Sequence, residues 1–247
     1  MITDPWFYAV AIPAVLLMGL SKSGFGSGFG SLATPLMALA LPVPQAAAIM
    51  LPLLLVMDGF GVKALFMKRD PALIRLLLPA GLLGTVVGTL SFGLLSAKGV
   101  AGIVGALTLA FLAQRLMFPP RADSKPPPRW LGFGLGIASG FTSFVAHAGG
   151  PPIMAYVLPL RLAPITYAAT MATFFAAINL SKWIPYAWLG LLDMRNLTTS
   201  LVLMPLAPIG VWVGVRLVLH MRPVLFYRFV YTGMFLTGVK LLWDGLK

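Results

Sequence analysis

The polar side chains of this chain that have chemistry to offer gather around two glycine-rich stretches. The first runs Lys22-Ser23-Gly24-Phe25-Gly26-Ser27-Gly28-Phe29-Gly30, and the second Ser143-Phe144-Val145-Ala146-His147-Ala148-Gly149-Gly150-Pro151-Pro152. Each glycine costs a helix interior up to about 1 kcal/mol against alanine, so both stretches predict helices that stop and restart. Irregular backbone in an apolar setting is tolerated where protein buries it or where it lines a watery cavity. Half-helices ending there can aim free N–H groups and the positive end of the dipole at an anion. Backbone at Gly26, Gly28, Gly149 and Gly150, with the hydroxyls of Ser23, Ser27 and Ser143, forms a candidate donor set. Pro151 and Pro152 suit the first turn of a new helix. Close helix approach is the structural alternative for the glycines, although four in the seven positions 24–30 exceed what a packing face needs.

Lys22 adds positive charge beside the first break. An intramembrane lysine costs at least about 2.5 kcal/mol on insertion scales, so it faces a cavity or partner unless it snorkels to a surface. His147 is the histidine in the second break, suited to hydrogen-bonding an anion, carrying a coupled proton, or making a structural hydrogen bond. Asn179 and Lys182, three apart, share one helical face. Lys182-Trp183 with Tyr186 and Trp188 reads equally well as an interfacial anchor. Asp58 lies deep in an apolar run and is a second proton-coupling candidate, or the partner of a lysine. Ser27 or Ser143 with His147 would also suit a nucleophile and base, but no Gly-x-Ser-x-Gly elbow surrounds either serine. With no cysteine, two histidines and six acidic residues, a metal cage is hard to build. No cofactor is expected, and no nucleotide motif is present for ATP to drive anything from this chain.

The elements that must hold these groups are apolar. Hydrophobic residues make up 59% of 247 positions and charged residues 10%, against about 25% charged in a soluble domain; mean hydropathy is +0.94. An all-α polytopic membrane protein is predicted. The net charge of +12 sits mainly at the ends of apolar runs, where it meets lipid headgroups, which argues against nucleic acid. The N-terminus lacks the basic start of a cleavable signal peptide, so the first apolar run is expected to remain in the mature protein.

Six runs have spanning length: 44–66, 72–95, 98–118, 164–186, 197–219 and 224–243. Two more, 5–42 and 130–160, are glycine-broken. As one helix, 5–42 would be about 57 Å long at 1.5 Å per residue, nearly twice a ~30 Å hydrocarbon core. Residues 119–129, rich in Pro and basic residues, divide an N-terminal repeat (1–118) from a C-terminal one (130–247). The landmarks recur in order: Gly24-Phe25-x-Ser27 and Pro35 match Gly140-Phe141-x-Ser143 and Pro151, Pro44 matches Pro164, and Pro79, Gly84, Gly88 match Pro205, Gly210, Gly214. Each half then holds a Gly-broken helix or re-entrant hairpin plus three transmembrane helices. A hairpin makes the crossings odd and the repeats inverted; eight full spans is the alternative. Lys63, Lys68, Arg69 and Arg75, then Arg121, Lys125 and Arg129, place the linker in the cytoplasm by the positive-inside rule. The second half carries equal basic groups on both sides and does not decide between the two topologies.

With these segments in place, the sequence resembles the TauE/SafE sulfite exporters, also called the toluenesulfonate uptake permease family. The resemblance rests on Gly19-Leu20-Ser21-Lys22-Ser23-Gly24-Phe25-Gly26-Ser27-Gly28, on His147-Ala148-Gly149-Gly150-Pro151-Pro152, and on Phe174-Phe175-x-x-x-Asn179-x-x-Lys182-x-x-Pro185-Tyr186. It implies a bacterial inner-membrane carrier of sulfur oxyanions or organosulfonates, usually in export, with Lys22, Ser27, Ser143 and His147 in the family's two half-motifs. The expected function is secondary transport of a small anion by alternating access around a midplane site. A passive anion channel using the same residues and, less favoured, an intramembrane serine hydrolase are the alternatives. Expected partners are the anion, the bilayer, protons as a coupling ion, and a second copy of the chain in a homo-oligomer.

Overall fold

The computed structural model describes residues 1–22, 30, 33–92, 94, 96–117 and 126–246. Among them every regular element is helical: α1 (Pro5–Leu20), α2 (Ala33–Met37), α3 (Val43–Leu65), α4 (Pro71–Leu90), α5 (Ala97–Met117), α6 (Arg129–Ala146), α7 (Gly150–Val157), α8 (Pro164–Trp188), α9 (Met194–Leu203), α10 (Leu206–His220) and α11 (Pro223–Leu246). Aspartate caps fix several starts. Asp4 accepts from the Trp6 N–H at 2.9 Å, Asp70 from Ala72 and Leu73 at 2.8 and 3.1 Å, and Asp193 from Asn196 at 2.7 Å. Each cap is worth about 1 kcal/mol.

The helices face the wrong way for water. On α4 the buried side is small (Ala80, Gly81, Gly84, Gly88), while Leu82, Leu83, Val86, Val87 and Leu90 point outward. Small residues let helix backbones approach closely, and large apolar side chains are at home against lipid. A Cβ on Gly84 would collide with the Ile137 carbonyl of α6, and one on Gly140 with the Gly81 carbonyl. The same device joins α1 to α10, where a Cβ on Gly19 would stand 2.9 Å from the Gly210 Cα, and α5 to α11 through Gly102 and Gly245. In the centre α3 lies against α8.

Among the described residues two helical stretches, Pro44–Lys68 and Pro71–Leu90, are long and apolar enough to cross a bilayer, and α9 with α10 forms a third candidate bent by 48°. Six such runs were expected from sequence. The 197–219 run is not one straight helix, because it is interrupted at Met204-Pro205, where proline has no N–H to continue the ladder. Helix α8 has the length, with 25 residues, but Thr170, Thr173, Asn179, Ser181 and Lys182 dilute its apolar character.

The 130–160 run folds back on itself. Helix α6 ends at Ala146, and His147 takes a left-handed conformation (φ 52°, ψ 26°). The Ser139 hydroxyl then donates to the Gly149 carbonyl at 2.6 Å, and a Cβ on Gly132 would enter the Tyr156 ring. The end of α7 therefore lies beside the start of α6. Near the first stretch, the Gly30 N–H donates to Ser21 Oγ at 2.9 Å, whereas one continuous helix would carry Gly30 about 13 Å past Ser21. Ala33 and Met37 of α2 share a core with Phe7, Ala11 and Met18 of α1. Ser23, Gly26, Ser27 and Gly28 lie outside the described residues, as does most of the linker.

Candidate functional site

Four helices deliver polar groups to one buried centre. Ser21 and Lys22 extend α1 as a wide turn, Asp58 comes from α3, Ser143 and His147 from the end of α6, and Asn179 and Lys182 from α8. Lys22 Nζ donates to Asp58 Oδ1 at 2.6 Å, and Asn179 Nδ2 to Asp58 Oδ2 at 2.7 Å. Lys182 Nζ meets Asn179 Oδ1 at 2.8 Å, the Ser143 carbonyl at 2.9 Å, Ser143 Oγ at 2.8 Å and His147 Nδ1 at 3.1 Å. His147 Nε2 lies 3.0 Å from the Ala47 carbonyl of α3. One hydrogen-bonded chain thus runs from Lys22 to the backbone of α3.

Counting donors fixes the charges along it. A carbonyl only accepts, so His147 Nε2 carries the hydrogen facing Ala47, and Nδ1 presents its lone pair to Lys182. Asn179 turns its amide donor to the Asp58 carboxylate and its oxygen to Lys182. Lys182 therefore serves three groups that only accept: the Ser143 carbonyl, Asn179 Oδ1 and His147 Nδ1. Three acceptors require three N–H bonds, which is an ammonium, and His147 beside it is a neutral imidazole.

That ammonium is fully buried, at 0% exposure, and every hydrogen-bond partner it has among the described residues is neutral. The chain has six acidic residues, all aspartate. Asp4, Asp70 and Asp193 cap helices, Asp244 pairs with Lys240, and Asp123 belongs to the linker. Among the described residues only Asp58 reaches the centre, and its ion pair is with Lys22. Two lysines and one aspartate leave one positive charge uncompensated. An unpaired buried ion costs several kcal/mol, so the centre favours the arrival of a negative one.

A small cavity of about 30 Å³ adjoins it, lined on the polar side by Ser21, Lys22, Ser143, His147 and Asn179 and on the apolar side by Met18, Leu54, Met171, Ala172 and Phe175. Lys182 and Asp58 do not line it; they stand one hydrogen bond behind its wall. Lys22 is not the free cation its sequence position invited, because Asp58 holds it and the Phe175 ring lies 5.3 Å away. Gly149 is packed against Ser143 and Phe175, so close approach explains this glycine. Of the first four positions of α7 only Gly150 and Ile153 carry an N–H, which leaves that helix start poor in donors. Thr142 and Ser139 hydroxyls satisfy the Ala148 and Gly149 carbonyls.

Both ring nitrogens of His147 are engaged away from Ser143 Oγ, so the pairing a serine nucleophile needs is not made here. The sequence did not single out Ser21, the Ala47 carbonyl or Phe175 as site groups. Phe175 had a signal, since 175, 179 and 182 fall on one helical face. The interaction of Ala47 with His147, 100 positions apart, had none. Among the described residues no group of His and Asp side chains is placed to hold a metal.

Glycine-joined helices with outward-facing apolar side chains, around a buried polar chain beside a small cavity, define an integral membrane protein with a polar centre. The chain belongs to the sulfite exporter TauE/SafE family, whose model matches residues 11–241. The family is one of membrane transporters of sulfite or related anions. No curated protein and no solved structure matches the chain.

Proposed function

We propose that the protein is a secondary transporter that exports a small anion, sulfite or another sulfur oxyanion or an organosulfonate, across the bacterial inner membrane, and that it is not an enzyme. The observation that carries this reading is the Lys182 ammonium, buried among neutral partners one hydrogen bond behind a cavity. An anion in that cavity reaches Lys22, Ser143 and Asn179 directly and completes the charge balance of Lys182. It exchanges the cost of an unpaired buried ion for an attraction that is strong in a low dielectric.

Alternating access is supported by the pairing of the helices. In the proposed duplication of 1–118 and 130–247, α1 and α2 correspond to α6 and α7, α3 to α8, α4 to α9 with α10, and α5 to α11. The contacts α1 with α10 and α4 with α6 then exchange under the two-fold, while α3 with α8 and α5 with α11 map onto themselves. Re-entrant hairpins would make the halves inverted, with linker 119–129 in the cytoplasm, and the anion site lies where the halves meet. His147 and Asp58 are the groups through which protons would couple.

Purified protein in proteoliposomes tests the reading. Saturable efflux of sulfite or methanesulfonate is expected, with loss of flux in Lys182→Ala and Lys22→Ala at normal reconstitution yield. Empty-liposome rates in the wild type, or wild-type flux in Lys182→Ala, would contradict it.

A further inference from the structure

Resting on that reading of the site, we infer that Asp58 sets the charge selectivity of the protein: by cancelling one of two buried lysines it matches the cavity to monoanions and against dianions. Among the described residues the charged or titratable groups facing the centre from the helices packed around it are Lys22, Asp58, His147 and Lys182, and residues 23–29 and 31–32 contain none by residue type. The Tyr186 hydroxyl nearby is committed to the Phe144 carbonyl at 2.6 Å. With His147 neutral by its hydrogen bonds, the resident charge is a single positive one. A monoanion brings it to zero. A dianion leaves one unpaired negative charge in the same low dielectric, an error as costly as the one it corrects.

The position of Asp58 makes it a selector and not a ligand. It does not line the cavity, so it makes no contact that depends on the anion's shape. Its two oxygens are occupied by Lys22 and Asn179, and both of these do line the cavity. Its charge is therefore felt by any anion there, regardless of geometry. The apolar half of the wall agrees, since Met18, Leu54, Met171 and Phe175 suit the uncharged side of a singly charged ion better than a further anionic oxygen.

Methanesulfonate and sulfate isolate this variable, because they are similar tetrahedral sulfur oxyanions in which a methyl group replaces one charged oxygen. Titration calorimetry on the purified protein in detergent should show wild type binding methanesulfonate more tightly than sulfate. Asp58→Asn, which keeps the side chain's shape, should move the ratio of dissociation constants toward sulfate by at least about tenfold, or 1.4 kcal/mol. If that variant fails to fold, Lys22→Gln with Asp58→Asn removes both partners of the pair and returns the net charge to one, so the ratio should match wild type. A wild type that prefers sulfate, an unchanged ratio in Asp58→Asn, or a tenfold departure in the double variant overturns the inference while leaving the anion site standing. Binding of neither anion by wild type overturns the site reading and the inference together.

Discussion

Replacing Lys182 with methionine should separate stability from function, and the structure gives the sizes. Removing the ammonium relieves an uncompensated buried ion, worth several kcal/mol. Against that, Asn179 Oδ1 and His147 Nδ1 lose their donor, at about 1–3 kcal/mol each for a buried unsatisfied group. The Ser143 carbonyl keeps the His147 N–H at 3.1 Å, and the Ser143 hydroxyl is released to turn toward His147. The opposing effects nearly cancel, so Lys182→Met should lie within about 2 kcal/mol of wild type. At about 2–4 °C per kcal/mol for a chain of this size, the melting temperature moves by less than about 8 °C. Asp58→Ala has no such offset. It strands the Lys22 ammonium, only 10% exposed, beside Lys182, and breaking a buried pair costs about 3–5 kcal/mol. Parallel thermal scans in one detergent at one scan rate check this. A Lys182→Met variant that melts as low as Asp58→Ala would mean that Lys182 is a structural cation, and the argument from its unbalanced charge would be wrong.

Other outcomes follow from the packing. Gly140→Val drives a side chain into the Gly81 backbone of α4 and should abolish folded, monodisperse protein by size exclusion. Gly134→Ala, on the same helix with nothing within 4 Å of its added Cβ, should be neutral or raise stability by up to about 1 kcal/mol. Tyr186→Phe deletes the buried bond to the Phe144 carbonyl and should cost about 1–3 kcal/mol, read as a lower melting temperature with anion selectivity unchanged. Asp70→Ala removes the cap of α4 at the protein surface and should cost about 0.5–2 kcal/mol with flux intact.

The second break was legible in part: Pro151 and Pro152 suit a helix start whatever surrounds them, whereas α6 runs through Ser143 to Ala146 and ends on a left-handed His147 that no glycine marks. The membrane class was legible because composition alone rules out a water-facing surface. Pairings between distant positions were not. Nothing near Asp58 marks Lys22 as its partner, 36 residues away, and Lys182 next to Trp183 carries the signature of an interfacial anchor as well as that of a buried ion. Its role appears only when the neighbours are counted and all prove neutral. Pro205 was read as a repeat landmark, yet it also interrupts the 197–219 run, because a missing N–H breaks a helix even where the apolar pattern continues.

Locating the anion tests the central claim most directly. Crystals grown with selenite, a sulfite analogue whose heavier atom scatters anomalously, should show a peak in the cavity within hydrogen-bond reach of Lys22 Nζ, Ser143 Oγ and the Asn179 amide, and none in Lys182→Met. A peak confined to surface lysines and arginines, or a cavity peak that persists without Lys182, would contradict the account.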